Sequence, residues 1–259
     1  MKAIILAGGL GTRLGKYTKN LPKAMLNFEG KPLIQRQVET YRKLGIEDII
    51  IVRKHLADKI NISGVKFIDE TDYETHMVVG LFEARNEFND NLILSYGDLL
   101  FEQKVLEDTI NSHFDVGVVV DTDWKDYWIA RYGSYLEDSE SMILDEKGRI
   151  ISLGIPNPKP EDMHARYVGI IKFSKKILQE IEKVYDKSKK EFWDKPWYTS
   201  PSFKRAYMTD FIQSLIDNNL NVNAIKIRRG WFEFDTVKDY EQALTWIKEG
   251  SLNRFYNLE

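Results

Sequence analysis

Near its start the chain reads LAGGLGTRL and shortly afterwards LPKAM, which sets Gly8, Gly9 and Gly11 beside Arg13 and Lys23. Clustered glycines let backbone N–H groups approach oxygen anions, because no side chain stands in the way. The chemistry to expect of this turn is therefore phosphate binding, and the arginine and lysine beside it are its natural charge partners.

Three phosphate-binding patterns compete. The P-loop requires G-x-x-x-x-G-K-[ST], and no Lys-Ser or Lys-Thr follows these glycines. The dinucleotide fingerprint G-x-G-x-x-G finds Leu14 in place of its last glycine. It also calls for an acid at the end of the second strand, where the chain has Arg53 and Lys54. A ligand-free flexible turn is the bland alternative, since glycine clusters commonly punctuate loops.

The rest of the composition narrows the chemistry. There is no cysteine, so disulfides, thiolate metal sites and cysteine nucleophiles are excluded. His55, His76, His113 and His164 form no ligand-spaced pair, which argues against zinc. A net charge of −3 argues against broad binding to nucleic acid or to an anionic membrane, though not against a local basic pocket. No apolar run is long enough to span a bilayer and no secretory pattern opens the chain, so a cytoplasmic location is expected.

The elements that must position these groups read as alternating strands and helices. Lys2–Ala7 is a short continuous apolar strand. Leu33–Leu44 has helical spacing and ends at Gly45. Strands follow at Ile46–Val52, Val65–Asp69, Asn91–Gly97 and Asp115–Asp121, with helices at Glu74–Glu87 and Lys104–Ser112 between them. This order predicts an α/β fold with a Rossmann-like, mostly parallel mixed sheet flanked by helices. Ligands gather at the carboxyl ends of such strands, so Gly8–Arg13, Asp69–Thr75 and Gly97–Asp98 should line one crevice. Farther on, SMILDEKGRIISLG predicts a hairpin and Ala165–Ser174 a strand, with Ser174 capping the next helix. Asp186–Pro201 reads as a loop or broken helix, Met208–Asn218 as a helix, NVNAIKI and WFEFD as strands, and Thr236–Lys248 as a last helix. The expectation is one domain over residues 1–259. Its nucleotide-binding half would span about 1–123, and a small C-terminal β/α acceptor-binding extension about 124–259.

Taken together, LAGGLGTRL and LPKAM resemble the signature of the sugar-phosphate nucleotidyltransferase superfamily, matching it at Gly8, Gly9, Gly11, Thr12, Arg13 and Lys23. SYGDLLF resembles the turn that supplies that superfamily's metal-binding aspartate and nominates Asp98. GWFEFDT resembles its second acidic segment and nominates Asp235. The resemblance implies transfer of a nucleotidyl group from an NTP to a phosphorylated acceptor, with release of pyrophosphate. It implies that Arg13 lies over the β- and γ-phosphates, that Lys23 bridges the α-phosphate and the incoming oxygen, and that Asp98 and Asp235 hold Mg²⁺. An acceptor phosphate is already anionic and needs no general base, which suits a chain without a histidine cluster.

Within the superfamily, the E-K-P segment of hexose-1-phosphate enzymes is missing; the region reads GIPNPKP, with only Lys159 as a candidate. DYETHMVVGLFEA, VVVDTDW, MTDFIQSLI and RRGWFEFDTVKDYE resemble cytidylyltransferases acting on phosphocholine, aminoalkylphosphonates and phosphoglutamine, except that His76 and Gly80 stand where that branch suggests Asn and Ser. This resemblance implies CTP and a small phosphorylated or phosphonate acceptor as partners. It implies a base pocket from Leu6, Ala7 and Gly8 with Thr75, His76 and Met77, in which a backbone carbonyl chooses cytosine. Capsule decoration in a bacterium is the expected setting. Arg131, Arg166, Arg228 and Arg229 are candidate clamps for an acceptor phosphate or carboxylate, and Asp210 for an acceptor ammonium. Trp124, Trp128, Trp193, Trp197 and Trp231 could box a quaternary ammonium. The Trp-rich Phe192–Phe203 segment is a candidate lid or homodimer contact. Three readings stand beside this one: a sugar-1-phosphate enzyme using UTP or another NTP, a nucleotide-binding regulator without catalysis, and an NAD-dependent enzyme.

Overall fold

The structure is a computed structural model describing residues 1–258. Strand β1 (Lys2–Ala7) runs directly into the glycine turn and a 3-10 turn at Thr12–Tyr17. Short β2 (Asn27–Phe28) and β3 (Lys31–Pro32) form a hairpin that delivers the chain into α1 (Leu33–Lys43). The buried residues of α1, Leu33, Ile34, Gln37, Val38 and Tyr41, recur at three- and four-residue steps, as one helix face demands. Then come β4 (Ile49–Arg53), β5 (Lys66–Asp69), α2 (Met77–Glu83), β6 (Leu92–Tyr96), β7 (Leu99–Phe101), α3 (Gln103–Asn111) and β8 (Val116–Asp121). The second half comprises α4 (Lys125–Tyr132), β9 (Glu140–Leu144), β10 (Ile150–Pro156), β11 (Arg166–Phe173), α5 (Leu178–Phe192), α6 (Met208–Asp217), β12 (Val222–Ile227), β13 (Trp231–Glu233) and α7 (Val237–Lys248).

Seven strands form the main sheet in the order β12-β8-β11-β6-β1-β4-β5. All neighbours are parallel except β11, which runs antiparallel to both β6 and β8. Successive β1 side chains enter opposite layers: Ala3 and Ile5 join the core under α1, α3, α4 and α7, while Ile4 joins the core under α2, α5 and α6. A strand covered on both faces has no polar side to show, which is why it reads as an unbroken apolar run. The C-terminal half is not a separate layer. It inserts β11 into the middle of the sheet, adds β12 at the edge and pairs β13 with β7.

Several local expectations need correction. Ser174 does not cap the next helix with its side chain; its hydroxyl donates to Asp115 Oδ1 at 2.7 Å. The lysine-rich stretch after Asp186 continues α5 as far as Phe192, because Leu178, Ile181, Val184, Tyr185 and Ser188 keep one face buried while the lysines face solvent. Helix α4 and strand β7 are additional elements. The tryptophans form no single box: Trp124, Trp128 and Trp231 lie in one core and Trp197 in the other. In the Phe192–Phe203 segment, Trp197 and Phe203 are buried within the chain's own core, their ring centres 4.7 Å apart.

Candidate active site

The carboxyl ends of β1, β4, β5 and β6 lie along one edge of the sheet, and their loops enclose a cleft of about 600 Å³. The glycine turn forms its floor. Gly11 has φ of 64°, and a Cβ there would press within 3.2 Å of both Thr18 and Lys23, so a side chain would meet strain and crowding together. Thr18 fastens the turn by donating its hydroxyl to the Gly11 carbonyl at 2.7 Å, and Leu14 plugs it into the core beneath. Gly8, Gly9, Thr12 and Arg13 face the cleft from this turn, and Leu6 and Ala7 from the strand before it.

At the lip of the turn, Lys23 Nζ donates to both Asp98 and Asp235, the latter at 2.6 Å. Arg13 lies 3.2 Å from Asp235 Oδ1 and is otherwise largely exposed. Two local devices bring the acids together. A Cβ at Gly97 would stand 3.0 Å from Ala24 and 3.2 Å from the Leu6 carbonyl, so glycine lets the turn before Asp98 lie against β1. The pairing of β13 with β7 sets Glu233 opposite Leu99, and Asp235 follows two residues on, beside Asp98.

The charges are mutually dependent. Burial opposes the Lys23 ammonium, but Asp98 and Asp235 outweigh it and hold its pKa above the ordinary value. Burial would likewise raise Asp235, yet Lys23, Arg13 and Arg131 together keep its carboxyl below the usual range. Glu233, in the same cleft, is pushed upward by burial despite Arg131 beside it.

Behind Asp235 stands a buried brace. Arg131 forks onto Asp239 at 3.0 and 3.1 Å, donates to Glu233, and lies 3.6 Å from Asp235. Asp239 also closes a capping box with Thr236 at the start of α7. Thr236, not Asp235, is thus the helix cap, and both Asp235 carboxylate oxygens face cations.

Thr75, His76 and Met77 line the far end of the cleft with Lys54 and Glu70. Half-buried His76 has its pKa lowered by burial first and then by the charges of Lys54 and Arg205. Sequence reasoning passed over Lys54 and Glu233, and placed Glu70 at the crevice only as part of the Asp69–Thr75 segment, with no role of its own. A signal existed for each: Lys54 and Glu70 fall at strand carboxyl ends, and Glu233 precedes Asp235 by two residues in an alternating segment, which sets both on one face.

The acceptor candidates fare differently. Arg131 is 2% exposed and committed to Glu233 and Asp239, so it braces the site and offers no open clamp. Asp210, equally buried, accepts from Thr199 N and Oγ1 at 3.1 and 2.8 Å and from Ser200, pinning a loop to α6. Arg229 sits away from the cleft, 3.0 Å from each of Asp123 and Asp126, and Arg228 is an exposed neighbour. Arg166 opens onto a cavity, a small one shared with Glu140, Ser141, Tyr167 and Thr209; its guanidinium lies 3.9 Å from the centre of the Trp128 ring. Tyr167 and Tyr96 meet at 3.0 Å between their hydroxyls, so this cavity adjoins the wall of the main cleft.

The chain is similar to known proteins over most of its length. Residues 3–192 match the MobA-like NTP transferase domain. The CTP:phosphoglutamine cytidylyltransferase of Campylobacter jejuni is 33% identical over 254 residues, covering 93% of this chain and 98% of that protein. The choline-phosphate cytidylyltransferase of Streptococcus pneumoniae is 27% identical, covering 96% and 99%. Among solved structures, the CTP:phosphocholine cytidylyltransferase of Streptococcus pneumoniae superposes with a TM-score of 0.72 at 21% identity, covering 95% of this chain and 98% of that one. The inositol-1-phosphate CTP transferase of T. maritima gives 0.69 at 22% identity, covering 96% of each. By the family match over residues 3–192 and the near-full-length relative, the chain belongs to the MobA-like NTP transferase domain family and is a nucleotidyltransferase.

Proposed function

We propose that the protein transfers CMP from CTP to a small phosphorylated acceptor, with release of pyrophosphate and dependence on Mg²⁺. The observation that carries this reading is the seat of Lys23, between two carboxylates at the lip of the glycine turn. The near-full-length similarity to a phosphoglutamine enzyme and a choline-phosphate enzyme supports the choice of CTP and of acceptor class.

The chemistry asks mainly for positioning and charge. An oxygen of the acceptor phosphate attacks the α-phosphorus, a new P–O bond forms, the bond from Pα to the bridging oxygen breaks, and pyrophosphate leaves with that electron pair. Both partners are anions, so the barrier is dominated by repulsion. In this reading Arg13 neutralises the departing pyrophosphate, and Lys23 draws the α-phosphate and the attacking oxygen to one point. Arg131 and Asp239 hold Asp235 in place from behind.

The residues present fit a magnesium ion. Asp98 and Asp235 already converge on one cation, the Lys23 ammonium. Among the described residues no group of three or more histidine or acidic side chains is arranged to hold a metal ion by itself, so phosphate oxygens and water would complete the shell, as magnesium prefers. When bound, the ion would neutralise charge on the α-phosphate.

For the acceptor, Arg166 remains a candidate clamp beside a cavity, and a carboxylate-bearing acceptor such as phosphoglutamine suits it better than phosphocholine. Capsule or surface-polysaccharide decoration, in the cytoplasm where CTP is supplied, is the setting we infer. No helix among the described residues is long and apolar enough to cross a membrane.

A matrix of four NTPs against phosphoglutamine, phosphocholine, an aminoalkylphosphonate and hexose 1-phosphates, read by pyrophosphate release, tests the proposal. Release with CTP and a small phospho-compound supports it. Release only with UTP and a hexose 1-phosphate, or binding without release, would overturn it.

A further inference from the structure

We propose that Glu70 selects cytosine over uracil by presenting one carboxylate oxygen, Oε2, to the 4-amino group of the base; this rests on the CTP reading above. Glu70 directly follows β5, where its N–H continues the ladder by donating to the Arg53 carbonyl at 2.8 Å. Its side chain is 6% exposed yet forms part of the cleft wall.

The two oxygens of this carboxylate have different fates. Oε1 accepts from Lys54 Nζ at 2.7 Å and from the Thr75 hydroxyl. Lys54 Nζ also donates to the Thr75 carbonyl at 2.7 Å and to its Oγ1 at 3.1 Å, so its donors are used within the wall. A purely structural ion pair would account for all of that. It does not account for Oε2, which takes part in none of these bonds.

Two glycines keep the wall beside Oε2 bare. A Cβ on Gly80 would stand 3.0 Å from Oε2, and one on Gly8 would stand 3.7 Å from it. Gly8 follows β1 at the glycine turn and Gly80 lies on α2, both lining the cleft. Glu70 and Gly80 therefore fit each other: a serine on the helix would crowd the carboxylate or bond to it.

The chemistry of that oxygen is one-sided. A carboxylate only accepts hydrogen bonds. Cytosine carries an amino donor at position 4, and uracil carries a carbonyl there. Uracil in the same seat would set oxygen against oxygen in a desolvated wall, with no partner for either. The choice between the two pyrimidines then belongs to a side chain, not to a backbone carbonyl.

Glu70→Gln reverses the polarity in a defined direction. Lys54 demands an acceptor, so the amide oxygen turns to Lys54 and its NH₂ group faces the cleft. Calorimetric titration of the intact protein with Mg·CTP and Mg·UTP, without acceptor, reads the result. The native protein is expected to bind CTP about 10- to 100-fold tighter than UTP, and Glu70→Gln to narrow that ratio at least about tenfold, largely by gaining UTP. An unchanged ratio in the variant overturns the assignment to Glu70 while leaving the CTP reading intact. A native protein with no preference for CTP overturns both. Should the variant fail to fold, Glu70→Asp, which keeps the charge but draws the carboxylate back from the cleft, decides when titrated with the same two nucleotides. A preference for CTP at least about tenfold smaller than the native one supports the assignment, and an unchanged preference overturns it.

Discussion

Lys23 touches both carboxylates proposed to hold the metal, and its removal would leave them facing each other. Lys23→Met is expected to lower kcat by about 10³-fold, the scale of losing a charge-stabilising donor in a dry site, while circular dichroism stays native. Asp235→Asn should abolish turnover with the fold retained. It should also change the pH profile of stability. The folded state depresses the Asp235 pKa, so its contribution is complete above the unfolded carboxylate value of about 4 and is lost as pH falls through the folded value. A Tm–pH series in the acid range should therefore fall less steeply in Asp235→Asn than in the native chain. At this scale the meeting of Arg13, Lys23, Asp98 and Asp235 was readable because each sits in a short motif whose neighbours constrain it. Arg131 was not. A guanidinium takes its meaning from its partners, and those of Arg131 come from Glu233 and Asp239, about a hundred residues away.

Elements carry the site as much as its side chains do. The Thr236–Asp239 capping box sets the start of α7 directly after Asp235, and the same Asp239 receives the Arg131 fork. Thr236→Ala should cost about 1 kcal/mol, a drop of about 2–4 °C in Tm, with a modest loss of kcat from a looser Asp235. Arg131→Met removes the cation from a buried network and should cost about 3–5 kcal/mol, lowering Tm by about 10 °C. Arg166→Ala should leave Tm near native and raise KM for the acceptor, a contrast that separates the brace from the clamp. Most strands and the amphipathic helices could be read from periodicity, because one buried face imposes it. Helix α4 could not: its buried face ends on a charged residue, Arg131, while apolar Ile129 stands exposed, so residue type no longer marks which side is inward. The end of α5 was obscured by its lysines, which belong to a solvated face and not to a loop.

On the scale of the whole molecule, alternating strands and helices implied a mostly parallel sheet and a crevice at its carboxyl edge, and the cleft lies there. The place of β11 was not implied. Its sequence is apolar like its neighbours', and nothing local records that it enters between β6 and β8 in the opposite sense. That insertion makes the second half part of the same sheet and carries Arg166 and Tyr167 toward the cleft wall. The site is therefore assembled from segments across nearly the entire chain. A truncation before β12 should lose nucleotide binding as well as acceptor specificity, a loss that equilibrium dialysis with CTP would register. Chelation should abolish pyrophosphate release and added Mg²⁺ should restore it.

The central claim is that fixed positive charge on the N-terminal turn, with a divalent ion anchored by two aspartates, brings two repelling anions together. A crystal structure with a non-hydrolysable CTP analogue and Mg²⁺ tests it most directly. The account predicts the triphosphate on Gly8–Thr12 within reach of Arg13 and Lys23, and the metal on Asp98 and Asp235. A triphosphate bound elsewhere, or a metal that ignores both aspartates, would contradict it.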